Sequence, residues 1–211
     1  MSCNRETERC QGWLDAAHSG DVSTIDRPEC CTKALEELAI RCHEVLTKAG
    51  IYWFTDFGTM LGLYRDGKII DHDTDIDVTI KLSDFDKMVA LKEDFEKDGF
   101  YLEVDPEDHR GIVRLHYSYK NRIHVDIWTY KDVEAQQGTY MVYEHPYLAG
   151  GHNGGHNNDI LCNQLDNIGY IEAYGKQWPM IADTVSALQR RYGKHDWEVP
   201  NNHAQGCKKG W

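Results

Sequence analysis

The chain has 211 residues, 41% apolar and 11% aromatic, which is enough for one globular domain with its own core and unlike a disordered polypeptide. Its formal net charge of -12 argues against a nucleic-acid partner, because phosphate backbones demand clustered Lys and Arg; a nucleotide enzyme that recruits metal stays open. No apolar run approaches a membrane span, the start MSCNRETERC is no signal peptide, and no Asn-x-Ser/Thr sequon occurs. A cytoplasmic protein is expected if Met1 is the native start, and a Golgi or secretory-lumen protein if the chain is a trimmed piece.

Residues 1–29 are polar and cysteine-bearing. A helix is predicted over about 30–48, where Leu35, Leu38, Cys42, Val45 and Leu46 recur at helical spacing and Gly50 supplies the stop. Ile51–Phe54 reads as a buried strand, followed by the turn Asp56-Phe57-Gly58-Thr59 and a short helix over Met60–Tyr64. Asp75–Ile80 reads as a second strand. Ser83 and Asp86 resemble a capping box opening a helix that ends near Gly99. Phe100–Val104, Ile112–Tyr119 and Arg122–Tyr130 are predicted strands, 149–158 a glycine-rich loop, and 181–192 a terminal helix stopped by Gly193. Neither repeats nor a linker interrupt the chain, so a single domain over 1–211 is expected.

The strongest chemical signal is Asp73-Thr74-Asp75-Ile76-Asp77. Alternate strand positions share a face, so the acids line one side while Ile76, Val78 and Ile80 line the other. A solvated Asp-rich turn is the alternative, but such a turn has no reason to interleave its acids with β-branched apolar residues. A divalent cation such as Mg2+ is the usual partner for acids crowded this way. Asp126, a lone acid among Val125, Ile127 and Trp128, joins them as a buried carboxylate in need of a partner. Upstream, the Gly58-Thr59 turn at a helix start and Arg65 suit phosphate binding, a weak signal strengthened by its place before the acids.

The segment WFTDFGTMLGLYRDGKIIDHDTDIDV (53–78) resembles the signature of the LicD/fukutin family, G-T-L-L-G-x-x-R followed by I-x-x-D-x-D-x-D. NRIHVDIW (121–128) resembles that family's third-carboxylate strand, and Trp178-Pro179 through ALQRRYGKHDWEVP (187–200) its closing helix and Tyr-Gly-x-x-Trp-x-x-Pro element. The resemblance covers about 30–200 and is strongest to the fukutin-related branch. It implies an α/β (α+β) nucleotidyltransferase-like fold, a mixed β-sheet flanked by helices. It further implies a phosphotransferase that moves a ribitol-phosphate, glycerol-phosphate or phosphocholine group from a CDP-linked alcohol donor to a glycan or other hydroxyl acceptor, releasing CMP. The implied Mg2+ or Mn2+ site is Asp75, Asp77 and Asp126 with Asp73 beside it; the implied phosphate-binding residues are Gly58, Thr59 and Arg65. Asp126 or Asp73 would serve as general base. Asp56-Phe57 and Asp71-His72 depart from the family's commoner residues close to this site.

Cys3, Cys10, Cys30 and Cys31, spaced C-x6-C-x19-C-C, suit a closed tetrahedral Zn2+ site, with two disulfides or free thiols as the alternatives. Their spacing resembles the zinc loop of the fukutin-related branch, so a zinc-binding N-terminal segment over 1–31 is implied. Cys42, Cys162 and Cys207 read as ordinary thiols. His145, His152 and His156 flank the glycine-rich loop, a lid, an acceptor-binding loop or plain surface. His116 and His124 are candidates for nucleotide contact, or else satisfied core histidines. Rival functions are a nucleotidyltransferase releasing pyrophosphate, a non-catalytic nucleotide- or glycan-binding module, and a cysteine-based redox or zinc adaptor.

Overall fold

The computed structural model describes residues 3–10, 27–104, 110–135, 138–144, 160–161, 165, 167–195 and 197–199. Helix α1 (Glu29–Lys48) buries Cys31, Leu35, Leu38, Cys42, Val45 and Leu46 along one stripe, as the periodicity predicts. It stops where Gly50 takes a φ of 62°, a conformation that costs glycine little. Strand β1 (Trp53–Thr55) leads into Asp56, whose side chain accepts from the Phe57 N–H and caps α2 (Phe57–Asp66). The helix therefore begins three residues before the Met60–Tyr64 core suggested by sequence. Strand β2 (Asp75–Lys81) follows with alternating burial over its first half.

The predicted helix after Ser83 is divided. A 3-10 turn (Leu82–Asp84) precedes α3 (Phe85–Val89) and α4 (Lys92–Glu96), with a tightened turn between them in which the Leu91 N–H reaches the Met88 carbonyl three residues back. Phe85, Met88 and Phe95 still reach the core. Next come β3 (Tyr101–Glu103), β4 (Ile112–His116), β5 (His124–Ala135), β6 (Gly138–Tyr143), β7 (Ile160–Leu161), β8 (Ile168–Ala173), β9 (Lys176–Ile181) and α5 (Thr184–Tyr192). Strand β5 runs further than predicted because β6 pairs with its outer half, from Tyr130↔Tyr143 to Ala135↔Gly138. The 149–158 loop lies outside the described residues, as do His145, His152, His156, Cys162 and Cys207.

The main sheet runs β1-β2-β5-β4-β3, with β6 on β5 and β7 on β6. Among the described residues, β2 and β5 pair in parallel and the other pairs are antiparallel, so the sheet is mixed and helices flank it. Register divides it into two faces. Ile76, Val125, Leu115 and Leu102 form one row of a buried face against α1. Opposite lie two polar rows: Asp77, Asp126, Arg114 and Glu103 in one, and Asp75, His124, His116 and Tyr101 in the other.

The β8–β9 hairpin turns at Tyr174 and Gly175, both at positive φ, and seats Trp178 edge-on to Trp53 and His43. This hairpin ties the C-terminal part of the chain to β1, with Thr55 Oγ1 donating to the Pro179 carbonyl. Among the described residues, no helix is long and apolar enough to cross a membrane.

Candidate active site

The period-two alternation of β2 sends Asp75 and Asp77 to the polar face, and the parallel pairing with β5 sets Asp126 directly beside Asp77. Each acid is held separately. Asp77 accepts a hydrogen bond at Oδ1 from the Trp128 indole N–H (2.9 Å), while its backbone N–H donates to Thr59 Oγ1 (2.8 Å). Asp73 closes the preceding turn, its N–H on the Ile70 carbonyl. The buried Arg27 guanidinium then fixes this turn by donating to the carbonyls of Ile70 (3.1 Å) and Asp73 (2.8 Å). Gly58 touches the same acid: a Cβ there would stand 2.6 Å from Asp73 Oδ2. The turn thus needs glycine for close approach, and the α2 N-terminus lies against the acids.

Charge makes this assembly costly without a cation. Burial, then Asp75, lifts the Asp73 carboxyl to about 7. Burial, then Asp75 and Asp126, lifts Asp77 well above the usual carboxylate range. Burial also raises Asp126, although His124 and Arg114 oppose it. Arg114 Nε lies 3.0 Å from Asp126 Oδ1.

Ligand atoms of Asp75, His124 and Asp126 all lie within 4.8 Å of one another. His124 Nε2 is 3.5 Å from Asp126 Oδ1 and 3.8 Å from Asp75 Oδ2. Its Nδ1 lies 3.0 Å from the Arg122 carbonyl, which can only accept, so Nδ1 carries the proton. Nε2 then faces two carboxylates, and a cation among the three satisfies them all. Two carboxylates and an imidazole fit a divalent ion, and the raised carboxyls nearby mark a place deficient in positive charge.

The structure brings Asp73, Asp75, Asp77, Asp126, Gly58 and Thr59 together. Arg65 is turned elsewhere: its guanidinium binds the Asp66 carboxylate at 2.6 and 2.8 Å and the Trp197 carbonyl at 3.4 Å. His116 is a core histidine. Burial takes it down to about 4 against the pull of Glu103, so its 2.9 Å contact with Glu103 is a hydrogen bond from a neutral ring.

Several supporting residues had escaped the sequence reading. Asp56 is fully buried, receives Phe57 N–H, Thr79 Oγ1 (2.7 Å) and the Tyr143 hydroxyl, and forms an ion pair with Arg191 Nη1 at 2.7 Å. Arg191 also donates to Tyr143 Oη (2.6 Å) and stacks on Phe57, 4.1 Å from the ring centre. This hub joins α5 to the start of α2. The sequence reading gave His124 to nucleotide contact or the core, although its place at i−2 on the strand face of Asp126 could have marked it as a member of this cluster; Arg27 and Arg191 carried no local signal.

At the N-terminus, Cys3, Cys10, Cys30 and Cys31 bring their sulfurs within 4.8 Å of one another, with Cys3–Cys31 at 3.5 Å and Cys10–Cys30 at 3.6 Å. Segment 3–10 is clasped to the β4–β5 turn. Arg5 donates to the Tyr117 carbonyl, Ser118 to the Arg5 carbonyl and Asn121 to the Asn4 carbonyl.

Residues 50–149 match the LicD/FKTN/FKRP nucleotidyltransferase-domain family. Human ribitol 5-phosphate transferase FKRP is 34% identical over 140 residues, covering 62% of this chain and 27% of that protein. The mouse protein of the same name is 32% identical with the same coverage. The chain therefore spans about a quarter of the length of the curated relatives it matches.

Proposed function

We propose that this chain, a member of the LicD/fukutin family by its residues 50–149, is a phosphotransferase that moves a phospho-alcohol from a CDP-linked donor to a hydroxyl of a glycan or similar acceptor, releasing CMP. The observation that carries the reading is the convergence of Asp75, His124 and Asp126, with Asp73 and Asp77 beside them, at the N-terminus of α2. The names of the two relatives, ribitol 5-phosphate transferases, favour a phosphorylated polyol as the transferred group.

Asp75, Asp126 and His124 would hold Mg2+ or Mn2+, with Asp77 alongside. Such an ion supplies charge neutralisation for a diphosphate and for the departing phosphate oxygen. The chain's own groups do the remainder. The α2 N-terminus at Gly58 and Thr59 offers backbone N–H groups to phosphate. Asp73, lifted to about 7 and anchored through Arg27, is the carboxylate suited to take the acceptor's proton. The acceptor oxygen forms a bond to the phosphorus, the bond to the CMP oxygen breaks, and the proton passes to Asp73. Buried Trp128 and Tyr143 line the wall beside Phe57 and keep water from this side.

The four cysteines would hold a structural Zn2+. A Zn–S bond of about 2.3 Å sets tetrahedral sulfurs about 3.8 Å apart, far beyond a disulfide bond, and thiolates are the donors zinc favours. The 3.5 and 3.6 Å separations fit that spacing. We take 1–211 as one domain with this segment as part of it.

The test is incubation with CDP-ribitol, CDP-glycerol, CDP-choline or CTP, with Mn2+ or Mg2+ and a mixture of neutral and phosphorylated glycans as acceptor, while following CMP and pyrophosphate. CMP from one CDP-alcohol, lost in Asp75→Ala and with chelator, is the expected result. Pyrophosphate from CTP would move the assignment to nucleotidyl transfer, and release from none of the four would overturn the reading.

A further inference from the structure

The row Asp75–His124–His116–Tyr101 leads from the acid centre across β5 and β4 to the edge strand β3. The rings follow one another along it: His124 to His116 at 5.5 Å, then His116 to Tyr101 at 6.0 Å and nearly parallel. At its end Tyr119, on the β4–β5 turn, meets Tyr101 edge-on at 5.2 Å. The Arg122 guanidinium lies over both tyrosines, 4.8 Å from Tyr101 and 5.2 Å from Tyr119, and 3.2 Å from Glu103. Tyr119 is nevertheless 69% exposed.

An exposed tyrosine normally moves freely, but this one is braced. The turn that carries it is closed by Tyr117 N–H on the Ile123 carbonyl (2.8 Å) and Ser118 N–H on the Asn121 carbonyl (3.1 Å). The Ser118 hydroxyl and Asn121 amide then pin it to segment 3–10 at 2.7 and 3.1 Å. A flat ring is therefore presented to solvent with its ordering cost already met by the fold.

We propose that Tyr119, with Tyr101, Arg122 and Glu103, forms the subsite that holds the sugar of the acceptor. The polarised C–H face of a sugar is attracted to the negative face of an aromatic ring, and the charged rim supplies a donor and an acceptor for ring hydroxyls. The side of the site on which the platform stands selects the acceptor over the donor. The α2 N-terminus, suited to the nucleotide's diphosphate, meets the acids from the β1–β2 side. The side over β5 and β4, where the ring row runs, is then left to the sugar of the acceptor. This rests on the phosphotransferase reading for its chemistry, but the binding site is separable from it.

The test is retention of the full chain, loaded with Mn2+, on an array of neutral and phosphorylated N- and O-linked glycans, comparing wild type with Tyr119→Ala, Tyr119→Phe and Tyr170→Ala. Tyr170, 66% exposed on the distant β8–β9 hairpin, controls for a generally stickier or less sticky surface. Wild type is expected to retain at least one glycan. Tyr119→Ala should weaken that binding by about tenfold, whereas Tyr119→Phe and Tyr170→Ala should keep it, because the ring and not its hydroxyl does the stacking. No retained glycan, or equal retention by Tyr119→Ala, overturns the proposal. So does a fall in CMP affinity in Tyr119→Ala, measured by titration calorimetry, since the platform would then belong to the nucleobase. Glycan retention through Tyr119 without CMP release from any CDP-alcohol would instead remove the phosphotransferase reading and leave the subsite standing.

Discussion

Replacing Asp56 by asparagine isolates the charge at the hub between α2 and α5. The shape and the helix-capping ability are kept, since asparagine caps as well as aspartate. What is lost is the countercharge of Arg191, whose side chain is 3% exposed. A buried guanidinium left without its partner costs about 3–5 kcal/mol, against a total stability of about 5–15 kcal/mol for a domain. With a urea slope of about 3 kcal/mol per M, the unfolding midpoint should fall by about 1–1.7 M, followed by tryptophan fluorescence. Arg191→Met should cost a similar amount. The double variant should lose at least about 2 kcal/mol less than the sum, because removing both charges leaves neither stranded and methionine can pack on Phe57. A loss below about 1 kcal/mol for Asp56→Asn, or strict additivity in the double variant, would refute the role assigned to the pair.

Gly58→Ala places a methyl where Asp73 Oδ2 now stands, within 2.6 Å. Helix propensity favours alanine by about 1 kcal/mol, so the melting temperature should hold while CMP release falls at least about tenfold; unchanged turnover would mean that Asp73 is free to move. His116 is held neutral by burial, with a folded value of about 4 against an unfolded value near 6.5. The unfolded chain takes up the proton first, so His116 should make stability fall as pH drops from about 6.5 to about 4. Urea midpoints of His116→Gln measured beside wild type should lack that component, and parallel curves would exclude it. Metal analysis of the purified chain should find about one zinc per molecule, lost in Cys30→Ser; a zinc-free protein with intact fluorescence would return the cysteines to ordinary thiols.

The acid centre was legible because strand alternation is local. Asp75 and Asp77 share a face with Ile76 and Val78 opposite, and one parallel pairing places Asp126 among them. The α1 stripe was legible for the same reason, in period 3.6 rather than 2. What escaped was long-range or weakly patterned. Nothing in the neighbourhood of Arg191 announces Asp56, and Arg27 reaches Asp73 through backbone carbonyls, which no side-chain motif encodes. The β8–β9 hairpin mixes exposed and buried residues on β8, so its period is blurred; only the Tyr174-Gly175 turn marked it. Arg65 pairs with Asp66, its sequence neighbour, a partner that the phosphate-binding expectation did not include.

The parallel pairing of β2 with β5 also sets the order in which the chain can mature. β3, β4 and β5 are consecutive in sequence and pair antiparallel in that order, whereas β2 meets β5 only after the whole of residues 82–123 has been looped back. Non-local pairings of this kind pay their loop entropy before contacts reward it, and so form late. Asp126 is therefore brought against Asp75 and Asp77 in a late step. A cation that binds them only when assembled would pull that step forward, so metal supply during synthesis should govern how much of the chain reaches its final form as well as how fast it works.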